Sequence, residues 1–129
     1  MLKEDYVSRS IRDAVRALAK LVLNKDNIEY IVPAGLAVSP LQKFYADELA
    51  LVDAGEINQA ENLLLDELDK GGEERFEMAM AFYLHVNEKS DDFLDEHNYS
   101  REEIITGIQD TAASFGYSYD VGFLSGQVF

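Results

Sequence analysis

The sequence predicts an all-α fold: five to six helices folded back as antiparallel hairpins, followed by an extended apolar C-terminal tail. Three observations carry this. Apolar residues recur every three or four positions through most of the chain. Helix start and stop signals (Ser39-Pro40, Gly55, Gly71-Gly72, Ser90, Ser100, Gly116) leave only short links between the periodic stretches. The period changes to two only beyond Gly116.

From Asp5 to about Asn24, Val7, Ile11, Val15, Leu18 and Val22 fall three or four apart and form one stripe, while Arg9, Arg12, Arg16 and Lys20 gather opposite. Residues 1–25 are thus a basic amphipathic helix, with Lys20 and Lys25 near the negative pole of its dipole. The period is lost over 25–38. Pro33 and Gly35 break helix and strand alike, which predicts a packed loop with at most a helical turn around 27–31.

Ser39 as N-cap and Pro40 at the first helical position start the second helix, whose stripe is Leu41, Phe44, Tyr45, Leu49 and Val52, and Gly55 ends it. Ile57, Ala60, Leu64 and Leu68 share a face of the next, up to Gly71-Gly72. So short a link folds the pair, 39–70, into an αα-hairpin.

Glu73 and Glu74 favour a helix start by dipole, and that helix runs to about Lys89. Phe76, Ala79, Met80, Tyr83 and Val86 cover one face, and Met78, Phe82 and His85 much of another. A helix apolar around most of its circumference is central. Ser90 caps a short helix through Phe93 and Leu94. Ser100-Arg101-Glu102-Glu103 matches a capping box, followed by Ile104, Ile105, Ile108, Ala112 and Phe115 at helical spacing. These elements complete a helical C-terminal half over 73–116. In the tail, 117–129, Tyr117, Tyr119, Val121 and Phe123 alternate with small or polar residues, and Leu124, Val128 and Phe129 follow. That much apolar surface predicts a segment lying in a groove on the helices, of its own chain or of a neighbour.

The length of 129 residues allows one domain spanning 1–129, and 47% hydrophobic content argues against disorder. With no cysteine, disulfides, thiolate metal sites and cysteine nucleophiles are excluded. No apolar run is long enough for a membrane span, and the opening Lys3, Glu4 and Asp5 do not suit a signal peptide, so the expectation is a soluble, cytoplasmic protein. The net charge of −14 is uneven: residues 1–25 carry +3 and the remainder −17. A carboxylate-rich surface repels a phosphate backbone, so nucleic-acid binding is not expected. The basic helix instead seeks an acidic surface, on its own chain or a neighbour's.

The run Gly55-Glu56-Ile57-Asn58-Gln59-Ala60-Glu61-Asn62-Leu63-Leu64 resembles the turn and second helix of a tetratricopeptide repeat. Gly55, Ala60, Leu64 and Leu68 match that pattern, with Phe44 and Leu51 at bulky positions of the preceding helix. Asp47 and Glu48 replace its Leu-Gly pair, Glu67 a small residue, and Gly72 the closing proline. There is no second copy, whereas a solenoid needs about three. The resemblance therefore implies a repeat-like hairpin rather than a repeat protein. The stretch Asp5-Tyr6-Val7-Ser8-Arg9, with Ala17-Leu18-Ala19-Lys20 and Asn24-Lys25, is similar to the opening of a family of small bacterial helical proteins of unknown function. That likeness implies an all-helical, repeat-like fold and brings no catalytic residues.

Tests for chemistry return little. His85 and His97 are the only histidines, and Phe82 and Leu94 stand where a di-iron helix would need glutamate. His85 reads as a hydrogen-bonded structural residue and His97 as a helix-end one. Asp91, Asp92, Asp95 and Glu96 lack the alternation, glycine and closing glutamate of a calcium loop. Gly71-Gly72 precedes two glutamates, which would repel phosphate. No catalytic residue, metal ligand or cofactor is therefore expected.

The functional expectation is a non-catalytic interaction or scaffold module that self-associates as a two-fold dimer, its other protein partners unidentified. Its interaction surface would comprise Arg9, Arg12, Arg16, Lys20, Tyr117, Tyr119, Phe123 and Phe129. The rival is a small-ligand binder or enzyme with an enclosed pocket near helix 73–89, lined by Tyr83, His85 and a charged group.

Overall fold

The computed structural model describes residues 2–31 and 38–117, with side chains from Tyr6 onward in the first helix. Six α-helices follow in order: α1 (Leu2–Leu18), α2 (Pro40–Asp53), α3 (Ile57–Leu68), α4 (Glu73–Asn87), α5 (Asp91–Glu96) and α6 (Arg101–Ser114). There is no strand among the described residues. The tail residues Tyr119, Phe123 and Phe129, and the breakers Pro33 and Gly35, lie outside them.

In α1 the expected stripe is the buried one. Ile11, Val15 and Leu18 are buried, joined by Ala14, while Val7 and Val22 are half-buried. The last turn, Ala19–Leu23, widens into a π-helical turn that ends on Asn24 in the left-handed region, φ 56°. Asparagine tolerates that conformation because its short polar side chain can bond locally. Residues 25–31 continue without regular structure, and no helical turn forms at 27–31.

The start of α2 is better capped than the sequence suggested. Ser39 Oγ accepts from the Gln42 amide (3.1 Å), and Gln42 Oε1 accepts from the Ser39 amide (2.9 Å). Two orphan donors are satisfied reciprocally. At α6 only half of the expected box forms: Ser100 Oγ accepts from the Glu103 amide (3.3 Å), but the Glu103 carboxylate takes the Ser100 hydroxyl (3.3 Å) rather than its backbone N–H. Between α2 and α3, Gly55 adopts φ +90°, where a Cβ would also collide with the His97 ring.

Helix α4 is the central element, packing against α1, the π-helical turn, α2, α3 and α6. Its run from Phe76 to Tyr83 is buried without interruption. Burying large side chains such as Phe76, Met80 and Phe82 contributes about 1.5–3 kcal/mol each, so this helix organises the core. Close approach to α6 is possible because Gly107 faces the Tyr83 ring. Helices α1 and α2 both pack against α4.

Candidate interaction surface around α4

Between α1 and α2, the segment after α1 lies beside the C-terminal half of α4 and parts two hollows. That segment is pinned by a buried acid. Glu77 accepts from Lys25 Nζ (2.9 Å) through one carboxylate oxygen and from the Glu29 amide (3.0 Å) through the other. Tyr30 adds a hydroxyl donated to Glu74 (2.9 Å), and its ring meets Tyr45 edge-on with centroids 5.1 Å apart. The Glu77 carboxylate raises the Lys25 ammonium above the ordinary lysine range. Lys25 thus serves as a tie to α4, not as a free cation at the helix end.

Ile28 and Leu84 stand between these two hollows. On the α1 side a narrow one of about 110 Å³ is lined by Arg12, Val15, Arg16 and Asn27 as well as those two. On the α2 side a larger one of about 380 Å³ is lined by Glu29, Tyr30, Tyr45, His85 and Glu88 among others. A third, shallow dish lies on the outer side of α1, between Asp13, Arg16, Ala17, Lys20 and Asp26.

The four basic residues expected at an interaction surface are all exposed on this edge of the molecule. Arg12 donates to Ser8 Oγ (3.0 Å), Arg16 pairs with Asp13 (3.6 Å) and Lys20 with Asp26 (3.8 Å). Such exposed short-range pairs are worth little and are easily exchanged for an external carboxylate. Tyr117, by contrast, is half-buried against the core at the end of α6, and its amide donates to the Ala112 carbonyl (2.8 Å). The basic residues thus share one exposed edge of α1, whereas Tyr117 packs against the core.

His85 and Tyr83 do not share a cavity wall. His85 meets Asp53 through Nε2 (2.7 Å), and Asp53 also pairs with Lys89 (2.7 Å). Lys89 foremost, with His85, holds the Asp53 carboxyl below its ordinary range. Tyr83 is fully buried and donates to Glu61 Oε2 (2.7 Å). Burial pushes the Glu61 carboxyl up, a trend that the Tyr83 hydrogen bond opposes. His97 caps α5 and bonds the Phe93 carbonyl through Nδ1 (2.7 Å), as a helix-end residue.

Sequence reasoning missed Glu48. It lies within the buried stripe of α2 between Tyr45 and Val52, only 1% exposed, and neither carboxylate oxygen has a hydrogen-bond partner among the described residues. Burial pushes its carboxyl up to about 8, with the neighbouring Asp47 adding to the rise. Its helical phase was the available signal, since it falls three residues after Tyr45 and four before Val52.

Fold and surface of the described residues together define an all-helical arrangement with a central apolar helix, shallow surface hollows and a basic edge on α1. The chain belongs to a family of unknown function, DUF6483, whose match extends over residues 1–116. No curated protein and no solved structure matches it. No helix among the described residues is long and apolar enough to cross a membrane.

Proposed function

We propose that this domain is a non-catalytic protein–protein interaction module whose basic α1 edge engages the acidic surface of a second copy. One observation carries the reading: Arg12, Arg16 and Lys20 line an exposed edge and make weak local contacts among the described residues, on a chain that carries −17 beyond residue 25. Each copy offers both complements, which is the condition for a self-complementary, two-fold contact. The shallow, open form of the hollows and the tetratricopeptide-like hairpin at 39–70 support a docking role over an enclosed reaction site. The rival reading of a small-ligand site is favoured by the 380 Å³ hollow beside His85.

The test exploits the absence of cysteine. A nitroxide on Ala17→Cys, at the exposed edge of α1, is mixed with isotope-labelled wild-type protein. Intermolecular broadening confined to amides of one acidic face, abolished by Arg12→Glu with Arg16→Glu, is the expected result. No intermolecular broadening, or broadening that survives the charge reversal, would overturn the reading.

A further inference from the structure

The larger hollow combines features that an interaction edge made of arginines does not need. Its walls bring together two carboxylates, Glu29 and Glu88, and two phenol rings, Tyr30 and Tyr45, over an apolar floor that includes Ala81 and Leu84. Neither the Glu29 nor the Glu88 side chain is held by an ion pair among the described residues. Lys25 and Lys89 are engaged elsewhere, on Glu77 and on Asp53. Tyr45 and Glu88 line the same hollow, and burial, with the Glu88 charge adding, pushes the Tyr45 phenol up to about 12. The hollow's volume, about 380 Å³, lies within the range of small-ligand sites.

We propose that this hollow binds an organic cation: a primary ammonium or guanidinium carried on a short alkyl chain. The alkyl stem would lie on Ala81 and Leu84, as the stems of Lys and Arg cover apolar surface while their heads stay polar. The charged head would sit between Glu29 and Glu88 and against the tyrosine rings, whose π faces attract cations. An anion would meet two carboxylates, and a neutral ligand would forgo both interactions. This site lies on the far side of the Ile28–Leu84 contact from Arg12 and Arg16, so it does not depend on the self-association reading.

The same chemistry has two sources, a free alkylamine or the side chain of a lysine or arginine in a peptide. The experiment titrates the full chain, followed by amide NMR, with butylammonium, with butanol of the same stem, and with an acetylated, amidated Gly-Lys-Gly peptide. Butylammonium is expected to saturate with shifts centred on Ile28, Glu29, Ala81 and His85, and butanol to bind about tenfold more weakly. Combined Glu29→Gln and Glu88→Gln should weaken the ammonium about tenfold, equivalent to about 1.4 kcal/mol. Asp66→Asn with Asp69→Asn, at exposed positions around the C-terminal end of α3, should not change it. Peptide binding as tight as the free amine assigns the site to a side chain of a protein, and weaker peptide binding assigns it to a small amine; both support the site. Equal affinity for butanol, no saturable shift at the hollow, or indifference to the paired Gln changes would overturn it.

Discussion

Tyr83 on α4 occupies the space that a side chain at Gly107 on α6 would need: a Cβ there would overlap the phenol oxygen, Cζ and Cε1 together. The missing side chain of one helix admits the ring of the other, which is how the two helices approach closely enough to bury both Tyr83 and Gly107.

Gly107→Ala is accordingly predicted to destabilise by about 1–3 kcal/mol, the range for overpacking a filled core. Adding Tyr83→Phe should recover only part of that loss, because the ring carbons still clash and Glu61 loses its donor. Urea denaturation of the single and double variants measures this. A neutral Gly107→Ala would show that the helices separate freely here.

Glu48 makes stability depend on pH. Its carboxyl titrates near 8 when folded against an ordinary 4.5 when unfolded, so between those values the native state holds the extra proton. Stability therefore falls as pH rises through that window and levels off outside it. Glu48→Gln removes the titration. Between pH 5 and 9 the wild type should lose about 4 kcal/mol more than this variant, at about 1.4 kcal/mol for each pH unit between 5 and 8. Parallel pH profiles would contradict the account.

Glu77 fixes the segment after α1 through two hydrogen bonds, one of them to the Glu29 amide. Glu77→Gln keeps the shape and removes the charge. Hydrogen exchange at residues 25–30 should then accelerate while exchange within α6 stays unchanged. Acceleration spread evenly over all helices would assign Glu77 to global stability instead.

Arg101 clamps the end of α4. Its guanidinium donates to the Asn87 carbonyl (2.7 Å), to Asn87 Oδ1 (2.8 Å) and to the Lys89 carbonyl (2.8 Å), and pairs with Asp91 (3.2 Å). Asn87 in turn donates to the Ser8 carbonyl (3.0 Å), tying the clamp to α1. Arg101→Ala should cost about 2–3 kcal/mol, the scale for bonds to a charged group. Arg101→Lys should rescue little, since one ammonium cannot reproduce the planar fork. Thermal melts in which the lysine variant matches wild type would contradict this.

Local signals made the helices legible. Ser39-Pro40, Ser90 and Ser100 each cap the helix they announce, and Phe76 through Val86 mark α4 as central because no polar face interrupts them. The basic edge was legible for the same reason, since Arg12, Arg16 and Lys20 share a helical phase. The polar interior was not. Glu48 and Glu77 look like any other acids in a chain with 25 of them, and their burial depends on which faces α2 and α4 turn to their neighbours. Likewise, the hollow at Tyr30, Tyr45 and Glu88 joins three separate segments of the chain, which no spacing rule connects.

Self-association through the basic edge is the central claim, and sedimentation velocity tests it most directly. Two copies at −14 each repel at long range. The screening length is about 30 Å at 0.01 M salt but about 8 Å at 0.15 M, so the higher concentration suppresses that repulsion while leaving contact pairs. The account predicts a concentration-dependent dimer at about 0.15 M salt. It also predicts weaker association at low salt and none in the protein carrying Arg12→Glu with Arg16→Glu. A wild type that stays monomeric at high micromolar concentration, or a charge-reversed protein that dimerises equally well, would contradict it.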